Sequence, residues 1–102
     1  MAFVKVAKVS DVPEGEMTKV SAKGKNILLA KVDGHVFAME EECTHEGGSL
    51  HEGILEGYTV TCPWHEGKYD IRNGKADPET DWVHDTSSWK VKIEGDDILV
   101  DL

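Results

Sequence analysis

The chain has 102 residues and 39% hydrophobic content, which fits one domain, residues 1–102, around a modest core. Its net charge of −9, from 11 basic and 20 acidic residues, excludes nucleic acid as a partner, because phosphates would be repelled. No apolar stretch approaches membrane-spanning length, so no membrane partner is expected either.

Phe3 to Val9 alternates apolar and polar residues and predicts a first strand. Turn chemistry follows from Ser10 to Gly15. Met17 to Ser21 predicts a second strand, and Lys23-Gly24-Lys25-Asn26 a turn. Asn26 to Val32 is an apolar strand, Asp33-Gly34 a tight hairpin turn, and Val36 to Met39 its returning partner. Tyr58 to Thr61 reads as a strand that delivers Cys62, and Gly67 to Arg72 as the strand that leaves it. Asn73-Gly74 is the strongest hairpin signal in the chain. Residues 75–88 show no period, with at most one short turn near 77–86. Trp89 to Ile93 and Ile98 to Val100, joined at Gly95-Asp96, close the chain as a hairpin. Many short strands at turn-marked intervals predict an all-β fold, an antiparallel sandwich or barrel.

Two short motifs interrupt this pattern: Cys43-Thr44-His45 and Cys62-Pro63-Trp64-His65. Each pairs a soft thiolate with a borderline imidazole. Sixteen residues separate His45 from Cys62, enough for a reversal that brings the loops face to face. Cys43, His45, Cys62 and His65 then form a Cys₂His₂ set suited to zinc or iron–sulfur chemistry and poorly suited to magnesium or calcium. Zinc fingers usually place both cysteines first and both histidines later, on a helix. The alternating order here fits a 2Fe–2S cluster with both thiolates on one iron and both imidazoles on the other. A structural zinc module remains the alternative. With both cysteines used as ligands, no disulfide is left; with no signal peptide, a reducing cytoplasm is expected.

The two motifs resemble the paired cluster loops of Rieske iron–sulfur proteins. Leu50 and Gly53 after the first loop, Tyr69-Asp70 after the second and Asn73-Gly74 beyond extend the likeness. Length and the opening Asp11-Val12-Pro13-Glu14-Gly15-Glu16 resemble the small ferredoxins of Rieske-type oxygenases. The resemblance implies a Rieske-like fold with an inserted cluster-binding subdomain at about 42–67. It implies an electron carrier, not an enzyme, that binds one 2Fe–2S cluster. Its donor would be a flavin-dependent reductase and its acceptor an oxygenase-type enzyme, met transiently by a monomer. The other expectation is the small subunit of a larger oxidoreductase such as nitrite reductase.

Rieske proteins of cytochrome bc complexes carry a further cysteine pair between the loops. Gly48 and Trp64 hold the matching positions here, and Gly67 replaces a serine beside the cluster. Both differences imply a low-potential centre. Tyr69 matches a phenol that hydrogen-bonds a ligand sulfur in the high-potential branch, which would lift the potential to an intermediate value; the other reading is a core residue. Glycines Gly47, Gly48 and Gly67 let backbone approach the cluster, and Pro63 stiffens the second loop. Family members often have Gly after the last ligand, where this chain has Glu66, expected to face water. His35 is expected to be exposed, while His51 and His84 are candidates for contacts near the cluster or with a partner. Pro78 and Trp82 are candidates for a third, covering loop, and Trp64 either packs over the cluster or docks a partner. Glu40, Glu41 and Glu42 read as a solvated turn or as an acidic recognition patch.

Overall fold

The computed structural model describes residues 2–44, 47–64 and 66–102. Among these, ten strands run β1 Phe3–Lys8, β2 Met17–Ala22, β3 Lys25–Val32, β4 His35–Glu40, β5 Ile54–Glu56, β6 Thr59–Thr61, β7 Lys68–Asp70, β8 Ser88–Trp89, β9 Val91–Glu94 and β10 Asp97–Asp101. They pair antiparallel in three sheets, ordered β1-β10-β9, β2-β3-β4-β8 and β5-β6-β7. The predicted all-β antiparallel fold is therefore the one observed.

The sheet built on β3 is buried on both faces. Ile27 and Leu29 face one core with Ala38, Ile98, Val100 and Val12, which joins this sheet to the β1-β10-β9 sheet. Leu28 and Ala30 face a second core with Met39, Leu50, Val60, Tyr69, Ile71 and Val83. A strand buried on both faces reads as an unbroken apolar run rather than an alternating one, and Ile27-Leu28-Leu29-Ala30 is that run. Both cysteines belong to the second core.

Asp33 and Gly34 form the expected two-residue hairpin turn, with φ of 55° and 80°. The Glu14 carboxylate fixes it by accepting the N–H groups of Asp33 and Gly34 at 2.7 and 2.9 Å. Three readings of the sequence need correction. The segment from Trp89 to Ile93 is not one strand. It breaks at Lys90, with Ser88–Trp89 pairing to β4 and Val91–Glu94 to β10, so the chain passes here from one sheet to another. Asn73-Gly74 does not make a two-residue hairpin. Asp70 accepts Gly74 N–H through its carbonyl and Arg72 N–H through its carboxylate, which widens the loop and leaves only an isolated bridge between Tyr69 and Ala76. Ile54–Glu56 is a strand that the sequence pattern did not mark, and Val9–Asp11 and Leu50–Glu52 each form a single 3₁₀ turn.

Candidate metal centre

The segments 43–48 and 62–67 are closed by the same backbone hydrogen bond. Each opens on a cysteine whose N–H donates to the carbonyl of the closing glycine: Cys43 to Gly48 at 2.8 Å and Cys62 to Gly67 at 2.7 Å. The first loop leaves β4 and is pinned by the Glu42–Ser49 bridge; the second joins β6 to β7. Both cysteines thus follow closely on strand ends, Cys43 after β4 and Cys62 after β6, and belong to the second core. Cys43 and Cys62 are 4% and 1% exposed and form no disulfide. His45 and His65, the other two candidate ligands, lie outside the described residues.

The glycines make this approach possible. A Cβ on Gly48 would stand 3.0 Å from Cys62 Sγ, and one on Gly67 would stand 2.5 Å from Val83 Cγ1. The loops therefore meet across Gly48, and the segment after β7 folds back over Gly67 through Val83. In this segment Val83 is buried, whereas Pro78 and Trp82, the candidates for a covering loop, are exposed. Trp64 packs its indole on Gly48 while the residue stays 51% exposed.

Each sulfur has a hydrogen-bond donor within reach. Trp64 N–H lies 3.4 Å from Cys62 Sγ, and the Tyr69 hydroxyl 3.4 Å from Cys43 Sγ. Tyr69 is fully buried, so it is a core residue and a sulfur neighbour together. Burial pushes the Cys62 thiol up to about 11, and the adjacent Cys43 pushes in the same direction. Burial likewise raises the Tyr69 phenol to about 12, reinforced by Cys43. Two thiols held side by side in an apolar core ionise together only if a cation joins them. The donor set, the absence of a disulfide and the glycine-cleared approach fit a thiolate-bound metal group.

Sequence reasoning missed Thr44 and the buried role of Glu41. Thr44 Oγ1 lies 2.8 Å from the Tyr69 hydroxyl and accepts His84 N–H at 2.9 Å. The role of His84 here is through its backbone; its side chain is exposed. Glu41 is 4% exposed, unlike the solvated turn expected of Glu40 to Glu42. Its carboxylate takes the Ser49 hydroxyl and His51 Nδ1, the latter at 2.7 Å, so His51 braces the first loop. Burial alone would raise the Glu41 carboxyl, but the Ser49 and His51 hydrogen bonds outweigh it and hold the group below its ordinary value. Three consecutive glutamates stand before Cys43, and nothing in the local sequence singles out the middle one. His35 and Glu66 are exposed, as expected.

Residues 2–97 match the Rieske [2Fe-2S] domain. The chain is 35% identical over 94 residues to the ferredoxin component of the naphthalene 1,2-dioxygenase system of Pseudomonas aeruginosa, covering 90% of this chain and 88% of that protein. It is 38% identical over 102 residues to the biphenyl dioxygenase ferredoxin subunit of Pseudomonas sp. (strain KKS102), covering 99% and 93%. A chain in the solved complex of reduced oxygenase and oxidized ferredoxin in carbazole 1,9a-dioxygenase superposes with a TM-score of 0.87 at 26% identity, covering 96% and 91%. No helix among the described residues is long and apolar enough to cross a membrane.

Proposed function

This chain belongs to the Rieske 2Fe–2S family, and from that premise we propose that it is a single-electron carrier whose cluster is held by Cys43 and Cys62 on one iron and His45 and His65 on the other. The observation that carries this reading is the pair of buried, unbonded thiols from separate loops, each with a donor at its sulfur. When bound, the cluster supplies one reversible electron at a potential that imidazole ligation lifts above that of all-thiolate clusters. The rest is the work of this chain's own residues. The core around Leu50, Val60 and Val83 keeps water from the sulfurs. Trp64 N–H and the Tyr69 hydroxyl favour negative charge on the sulfurs, and so favour the reduced state. Gly48 and Gly67 let the loops close without side-chain clash.

The acceptor is an oxygenase-type enzyme and the donor a flavin-dependent reductase, each met transiently. Support comes from the two relatives, which are components of dioxygenase systems. The net charge of −9 steers the chain toward basic partner faces. In this reading the chain is a monomeric cytoplasmic carrier of one domain, with residues 42–67 as its cluster-binding part, and it performs no catalysis itself.

Spectroelectrochemical titration of the purified protein tests the proposal. It should take up one electron per chain reversibly, with the visible spectrum recovered on reoxidation. A chain that takes up none overturns the reading.

A further inference from the structure

The hydroxyl of Tyr69 has more neighbours than it has protons. Its oxygen lies 2.9 Å from Thr44 N, 2.8 Å from Thr44 Oγ1 and 3.4 Å from Cys43 Sγ. A phenol offers one O–H and two lone pairs. The Thr44 N–H is always a donor and takes one lone pair. The remaining lone pair and the single proton must be divided between Thr44 Oγ1 and Cys43 Sγ.

Two arrangements satisfy the geometry. In one, the Thr44 hydroxyl donates to the phenol and the phenol donates to the sulfur. In the other, the phenol donates to Thr44 Oγ1, the Thr44 proton turns to the His84 carbonyl, and the sulfur receives nothing from Tyr69. That carbonyl is 3.4 Å from Thr44 Oγ1, long for a hydroxyl donor. The first arrangement also ends on a thiolate, and hydrogen bonds to a charged acceptor are about twice as strong as neutral ones. In both, Thr44 Oγ1 accepts the His84 N–H at 2.9 Å.

We propose that Thr44 is a positioning residue that aims the Tyr69 proton at Cys43 Sγ. The chain runs one way, from His84 N–H to the Thr44 hydroxyl, to the Tyr69 hydroxyl, to the sulfur. Aligned donors polarise one another, so each upstream bond strengthens the last. The extra electron of the reduced state makes the sulfur a better acceptor, and the aligned chain therefore raises the reduction potential. It also ties the segment after β7, through His84, to the electronic state of the centre, although Thr44 and His84 are 40 residues apart in sequence.

The inference rests on the reading of Cys43 as a cluster ligand. The test is the midpoint potential of the cluster-loaded full chain and four variants: Thr44→Val, Thr44→Ser, Tyr69→Phe and the Tyr69→Phe/Thr44→Val double variant. Thr44→Val should lower the potential, and Thr44→Ser should return it to the parent value. In a Tyr69→Phe background, Thr44→Val should produce no further drop. A rise with Thr44→Val means that Thr44 competes for the proton, and overturns the inference. So does an unchanged potential, or a drop that persists undiminished in the Tyr69→Phe background. If Thr44→Val fails to assemble, electron–nuclear double resonance of the reduced parent in D₂O decides. An exchangeable deuteron coupled to the cluster, and missing after Tyr69→Phe, supports the chain; identical spectra overturn it. A parent protein that forms no cluster would instead defeat the proposed function.

Discussion

Trp64 rests on Gly48: a Cβ added to Gly48 would stand 3.3 Å from the indole Cγ and Cδ2. These are the two positions at which the bc-type relatives resembled by the sequence place bridging cysteines. Here an indole on a glycine joins the loops without a covalent bond. Gly48→Ala should push against both the indole and Cys62 Sγ and destabilise the folded protein by about 1–3 kcal/mol. Trp64→Ala should speed loss of the visible chromophore in chelator, because the loops lose their shared contact. A Trp64→Ala protein with the parent's loss rate would show that the contact carries no weight.

Gly67 and Val83 give a second, independent test. The added Cβ of Gly67→Ala would meet Val83 Cγ1 at 2.5 Å, and a β-branched side chain has little rotamer freedom to yield. The substitution should cost about 1–3 kcal/mol in denaturant unfolding. Adding Val83→Ala should recover part of that loss, whereas the two costs would simply sum if the residues did not touch.

Glu66 has a φ of 58°, the left-handed region that side chains other than glycine occupy at a cost. This explains why glycine is frequent at this place in the resembled family. Glu66→Gly should leave thermal stability equal or higher, and Glu66→Val should lower it by about 1–2 kcal/mol. A stabilising Glu66→Val would contradict the assigned backbone.

Asp70 holds Arg72 through Nε at 3.0 Å and Nη2 at 2.8 Å, while the guanidinium lies 4.2 Å over the Tyr58 ring. The Arg72 hydrogen bonds keep the Asp70 carboxyl below its ordinary value of 3.8. A depressed carboxyl stabilises the fold fully above that ordinary value and loses its contribution as pH falls through the lower, folded one. Asp70→Asn should therefore cost about 1 kcal/mol near neutral pH, a modest figure because the pair is partly solvated. The gap between variant and parent should close in acid. A gap that widened in acid would reverse the assignment.

Much of this architecture is written in local sequence. Asp33-Gly34 specifies its turn because the mirror-image hairpin needs two positive φ values. The run from Ile27 to Ala30 announces a strand with two buried faces. The two Cys-to-His spacings mark the candidate centre in the sequence, and the structure places Cys43 and Cys62 in one core, while His45 and His65 lie outside the described residues. What stayed hidden depends on partners distant in the chain. The break at Lys90 arises because β4 and β10 compete for neighbouring residues, which no local pattern records. Thr44 and Val83 gain their roles only when the segment after β7 lands on the ligand loops. Glu41 looks like one of three surface acids until Ser49 and His51 close around it.

The central claim is ligation by two thiolates and two imidazoles, and the electron paramagnetic resonance spectrum of the dithionite-reduced protein tests it most directly. The account predicts a red-brown oxidised form and, on reduction, a rhombic signal whose average g lies below that of all-cysteine 2Fe–2S centres. A colourless protein with no signal and one zinc per chain would contradict it.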